Sequence, residues 1–261
     1  MEGKLYKFPK HKNFCLDVSN WGLAKVQDIT NLLDFVIIDF YSSLDSSKIT
    51  ILPVSVFNSL SKNPPTNCPE IIIGKDKALI YLTAMDNDYC KYSYEFSHEL
   101  CHYIICKDYP PKNDKFGWLE ESLCELASFY TLNKMSITWQ TNPPYPNWRD
   151  FSINLKNYVN DIILMPENDI TKPFIMWLKD NFPSLYKCRY DREKNRIIAI
   201  HLLPIFTRAP ELWKIIQYMK IIDIIDTMTL EQYLFEWKKL IPSILYSSFD
   251  IMVSLLVGNQ V

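Results

Sequence analysis

Two histidines four residues apart, His98 and His102, with Glu99 directly after the first, are the residues of this chain best spaced to do chemistry. Positions four apart lie on one face of an α-helix, so both imidazoles can reach a single metal ion. Glu99 falls about 100° round the helix from His98, where a carboxylate can touch a metal-bound water without itself binding the metal. His-Glu-x-x-His therefore points to a zinc hydrolase, in which the metal lowers the pKa of its water from about 15.7 toward about 7 and the glutamate takes the proton. The bland alternative is a histidine pair on a surface or core face with no metal.

A catalytic zinc takes three protein ligands and leaves a fourth position to water. The segment Trp118 to Ser128 reads as a second helix, with Glu121, separated from His102 by eighteen residues, as the third ligand. Glu125, one turn later, is placed to accept the free ring N–H of a ligand histidine and so fix its tautomer. The oxyanion that forms on hydrolysis needs a second donor besides the metal. His201 is the leading candidate, on the apolar face of a helix with Ile197, Ile198, Leu202 and Ile205, where simple packing is the competing reading. Tyr145 and Tyr190 are weaker candidates. Arg189, Arg192 and Arg196 form a basic run, read as a solvated helix start or a grip on a substrate carboxylate. Cys101 and Cys124 lie in the two helices expected to bind the metal; Cys101 is placed to approach the site, but both read chiefly as packing residues.

At these residues the chain resembles the gluzincins, zinc peptidases with HExxH followed by a glutamate on a later helix. The Trp118-Leu119-x-Glu121 run is similar to the aminopeptidase N branch, with Glu120 where that branch has Asn and Ser122 where it has Gly. The resemblance covers residues 88 to 135. It implies zinc on His98, His102 and Glu121, with Glu99 as general base. Thr83-Ala84-Met85-Asp86-Asn87 looks like the family's amino-terminus-binding motif but stands only ten residues before His98, so a turn with an Asp or Asn cap is the stronger reading. The small intracellular ImmA/IrrE-type peptidases, which cleave one dedicated regulator, are a second family with HExxH. A protein that keeps a zincin fold without turnover is the rival from outside catalysis.

These residues need elements to position them. A helical stripe runs over residues 22–42, and β-like runs cover 49–53, 70–74 and 78–83, the last two joined as a hairpin across Lys75-Asp76-Lys77. Residues 78–84 are the expected edge strand for an extended substrate. The proline-rich stretch Thr141 to Trp148 marks a border. Helical patterns follow at about 150–165, 172–181, 191–207, 210–222, 229–240 and 243–256, with a capping box at Thr229-Leu230-Glu231-Gln232. The expected fold is α+β: a zincin-like catalytic lobe over 1–136, with a small sheet and the HExxH and Glu helices, and an all-helical lobe over 137–261 forming the other cleft wall.

With 261 residues, 48% hydrophobic, five glycines and a formal net charge of −2, the chain can bury a large core and shows no basic face for nucleic acid or anionic membrane. Its first ten residues lack a signal-like apolar run, and Ile241 to Val257 is too short and polar to span a bilayer. Seven cysteines without paired metal spacing suggest reduced thiols. The expectation is a cytoplasmic zinc peptidase acting on peptide or protein substrates.

Overall fold

Strict alternation builds the sheet of the computed structural model, which describes residues 4–45, 52–108 and 113–258. In β3 (Val54–Asn58) and β5 (Ala78–Leu82) every second side chain is buried, the period of a strand with one face in the core. Phe57 and Tyr81 oppose each other on the other face and stack at 5.6 Å, a stabilising cross-strand pair. With β1 (Leu5–Lys7), β2 (Phe14–Asp17) and β4 (Glu70–Ile73) the strands form a five-stranded mixed sheet in the order β1-β2-β3-β5-β4. Strand β3 runs parallel to β2 and β5, while the β1–β2 and β4–β5 pairs are antiparallel. Helix α1 (Val26–Tyr41) lies in the chain between β2 and β3, the crossover a parallel pair requires.

The expected hairpin is present as β4–β5, but residues 78–84 are not an edge. Strand β4 covers one side of β5 and β3 the other, so the sheet's edges among the described residues are β1 and β4. The reason is non-local: the β3 that fills the second side arrives from before the hairpin. Of the run expected at 49–53, residues 49–51 lie outside the described residues, and the strand that follows begins at Val54.

Helix α2 (Tyr89–Cys106) starts where Asp88 accepts the N–H of Lys91 at 3.3 Å, an N-terminal cap. Its buried rings meet the sheet side: Phe96 lies 6.2 Å from Phe8 and 6.3 Å from Phe14, and Tyr92 lies 5.7 Å from Trp21. Glu95 ties it to the end of β5. The carboxylate, 3% exposed, accepts the N–H groups of Thr83 at 2.7 Å and Ala84 at 3.0 Å and also bonds the Thr83 hydroxyl. The next turn is as constrained. Asp86 has φ +53° and accepts the Leu23 N–H at 2.7 Å, and Gly22, at φ +63°, has no room for a Cβ, which would meet Asp86 Oδ1 at 2.1 Å.

Helix α3 (Gly117–Thr138) is buried without a break over residues 116–132, which is why it shows little amphipathic pattern. The chain divides into two compact units, Met1–Tyr103 with Ala127–Asn160, and Ile104–Leu126 with Asp161–Val261. All three boundaries fall inside helices: α2, α3 and α4 (Ser152–Ile163). The first unit holds most of α4, residues 152–160. The second holds α5 (Phe174–Leu185), α6 (Arg192–Arg208), α7 (Leu230–Leu240) and α8 (Tyr246–Val257). Its core is aromatic: Phe116 stacks on Tyr233 at 4.5 Å, and Trp237 meets Phe249 at 5.5 Å while donating to the Ile215 carbonyl. The capping box at Thr229 and Gln232 forms as expected. Residues 210–221 coil as a 3-10 helix, since their apolar spacing tolerates either period. No helix among the described residues is long and apolar enough to cross a membrane.

Two stability predictions follow from the first unit. Glu95→Ala leaves two amides at the β5 end without their acceptor and should cost about 3 kcal/mol in chemical denaturation. Asp39, 4% exposed, accepts from the Thr138 hydroxyl at 2.9 Å. Burial raises its pKa to about 6, against the lowering effects of Thr138 and Lys134. The folded state thus holds this proton more tightly than the unfolded chain, and stability from the group is lost as pH rises from about 4 through about 6. Asp39→Asn should match the wild type near pH 4 and exceed it by about 2 kcal/mol at pH 8, read from denaturation midpoints across pH.

Candidate metal centre

The HExxH segment is helical throughout, within α2. The spacing of four puts the His98 and His102 rings side by side, with centroids 5.0 Å apart at 64°. His98 is half-buried, His102 is 9% exposed and Glu99 3% exposed. A carboxylate so deep in a helix face is costly unless engaged, and none of these three residues stands without a partner. Two imidazoles on one face suit zinc by donor type.

Among the described residues one group of metal-ligating atoms gathers: the ring nitrogens of His98 and His102 and the sulfur of Cys124, all within 4.8 Å of one another. Cys124 is the residue that sequence reasoning passed over as packing. The available signal was its position three residues after Glu121, on the same face of α3.

Glu121 and Glu125, the carboxylates expected at the metal and behind it, are each held by an arginine. Arg189 donates from Nε to Glu121 Oε1 at 3.0 Å, with Nη2 2.9 Å from the same oxygen. Arg196 donates from Nε to Glu125 Oε1 at 3.2 Å. Arg189 also reaches Asp114 Oδ1 at 2.5 Å and Glu120 Oε1 at 3.2 Å, and Lys220 lies 2.5 Å from Glu120 Oε2. Burial opposes the charge on Arg189, but Glu120, Glu121 and Asp114 outweigh it and hold the guanidinium above the usual arginine value. Burial also pushes Asp114 up, against the pull of Arg189. The Cys106 thiol, which donates to Glu120 Oε1 at 3.3 Å, is raised by burial and then by Glu120. Of the basic run read as a solvated helix start, only Arg192 is exposed. Arg189 and Arg196 are each 14% exposed, because buried carboxylates recruit them.

His201 places Nδ1 2.8 Å from the Ile197 carbonyl of its own helix and stacks on Phe174 at 4.1 Å. Tyr190 is 74% exposed under the Arg189 guanidinium. The Tyr145 hydroxyl accepts from Asn31 at 2.5 Å. Asp86, in the motif that looks like an amino-terminus binder, spends its carboxylate on the Leu23 amide. No family model, curated protein or solved structure matches this chain.

Proposed function

We propose that the protein is a zinc-dependent peptidase that binds its metal through His98, His102 and Glu121 and uses Glu99 as general base. The observation that carries this reading is the pair of imidazoles 5.0 Å apart on one face of α2, with buried Glu99 between them in sequence. Bound zinc would supply Lewis acidity and a water acidic enough to ionise near neutral pH. Glu99 would accept a proton from the attacking water and return it to the leaving amine, a transfer worth about 10²–10⁴ in rate. Glu95 and Asp86 serve this chemistry indirectly, by holding the first turns of α2 to the end of β5 and to Leu23. The substrate is a peptide or a protein. A dedicated protein substrate, as in ImmA/IrrE-type peptidases, is the narrower form of the same proposal.

A second reading rests on the gathering of His98, His102 and Cys124. Two nitrogens and a thiolate also bind zinc, and such a site serves either as a brace or for a hydrolysis other than that of peptides. Zinc per chain, measured by elemental analysis on wild type, Glu121→Gln and Cys124→Ser, separates the two. Replacing zinc by cobalt(II) adds a second criterion, since a thiolate ligand gives an intense near-ultraviolet charge-transfer band and a carboxylate does not. We expect one zinc in wild type, its loss in Glu121→Gln, and cleavage of a mixed peptide library that falls at least about 10²-fold in Glu99→Gln with zinc retained. Zinc lost in Cys124→Ser but kept in Glu121→Gln selects the second reading. Absence of zinc from metal-replete wild type defeats both.

A further inference from the structure

The two arginines that grip α3 come from one short segment that is itself fixed to that helix. Asn195 donates from Nδ2 to the Arg189 carbonyl at 2.6 Å, and its Oδ1 lies 3.4 Å from the Ser122 hydroxyl, whose proton goes chiefly to the Trp118 carbonyl at 2.7 Å. Ser122 is the neighbour of Glu121, so the backbone that carries Arg189 is registered against the residue the arginine holds. Arg189 and Arg196 are seven residues apart, Glu121 and Glu125 four, and each pair meets in the same way, Nε to Oε1. A carboxylate on a helix otherwise turns about three side-chain torsions. Two N–H groups converging on one oxygen remove that freedom.

The charge arithmetic separates orientation from neutralisation. Arg189 carries one positive charge and faces three carboxylates, Asp114, Glu120 and Glu121. Its charge is divided, so Arg189 sets the position of Glu121 without its whole charge being spent on that one carboxylate. Lysine cannot substitute, because the contact to Glu121 Oε1 through two nitrogens, with a third reaching Asp114, uses the planar fork of a guanidinium.

We infer that Arg189 is a positioning residue for the metal site: it holds Glu121 in the orientation in which that carboxylate binds zinc. This rests on the reading above in which Glu121 is the third ligand. Partners of this kind set metal affinity by about 10–100-fold. Simple charge repulsion predicts the opposite sign, since removing a nearby cation would tighten zinc.

The test is zinc affinity, measured by competition with a chromophoric chelator, for wild type, Arg189→Lys, Arg189→Gln, Arg192→Gln and Glu121→Gln. Circular dichroism of each metal-free protein establishes folding. We expect Arg189→Lys and Arg189→Gln to bind zinc about 10–100-fold more weakly, with a changed cobalt(II) visible spectrum. Exposed Arg192→Gln should stay within about twofold, since a solvated charge is screened. In a Glu121→Gln background, where zinc no longer stays bound through purification but the residual affinity is read at high metal concentration, Arg189→Lys should weaken zinc no further, which a general loss of stability would not reproduce. Unchanged or tighter zinc in a folded Arg189 variant, or full additivity in the double variant, overturns the inference. Wild type without zinc, or Glu121→Gln at wild-type affinity, overturns the reading beneath it instead.

Discussion

Three glutamates within six residues of one buried helix, Glu120, Glu121 and Glu125, are the charge problem around which the second unit is arranged. None is more than 8% exposed. An uncompensated carboxylate at that depth costs several kcal/mol, and three on adjoining turns would repel one another besides. Arg189, Arg196 and Lys220 meet them, drawn from the turn before α6, from α6 itself and from the 3-10 helix that follows it. An apolar helix with Leu or Met at those positions would pack as well without recruiting three cations. Retaining the acids therefore calls for a use beyond stability, which is the physical ground for looking to them for function.

The first unit solves a related problem for α2. A helix that presents histidines at a fixed height must be stopped from sliding along or turning against the sheet. Hydrophobic contacts from Tyr92 and Phe96 resist neither motion strongly, since apolar packing is non-directional. Glu95 supplies direction, because its carboxylate meets two successive backbone amides at the end of β5. The turn that follows is locked by the mutual fit of Gly22 and Asp86. Glu95 precedes His98 by one helical turn, so the restraint acts close to the residues it positions.

The parts legible in the sequence were those with a local cause. Helix α2, its HExxH face, the β4–β5 hairpin and the Thr229 cap follow from spacing, turn chemistry and capping rules that act within a few residues. Strands β1 and β2 escaped because three and four residues leave no measurable alternation. The interior place of β5 escaped because edge or centre is decided by which strand comes to its other side. The arginines were misjudged for the same reason: Arg189 and Arg196 lie 68 and 71 residues from the carboxylates they bind. A basic run at a helix start looks solvated until the burial of its distant partners is known. Cys124 illustrates a subtler limit, since its place on the Glu121 face of α3 fits a small buried residue as well as a ligand until donor atoms are placed.

The two proposed readings draw a third ligand of different chemistry from helix α3, Glu121 in one and Cys124 in the other, one turn apart. In the first reading the donor is the Glu121 carboxylate, oriented by Arg189, and a metal that takes an ionised carboxylate displaces no proton. A thiol must give up its proton to ligate, so a site completed by Cys124 releases one more proton on filling and weakens more steeply as pH falls. The hardness of the donors differs in the same sense: a carboxylate leaves zinc a stronger Lewis acid for hydrolysis, whereas a thiolate donates more charge and suits a brace. The arginine cage belongs to the first chemistry. Its fork has a purpose if an anionic oxygen must be aimed, and none if the sulfur three residues on completes the site, in which case the fork only offsets the cost of a buried acid.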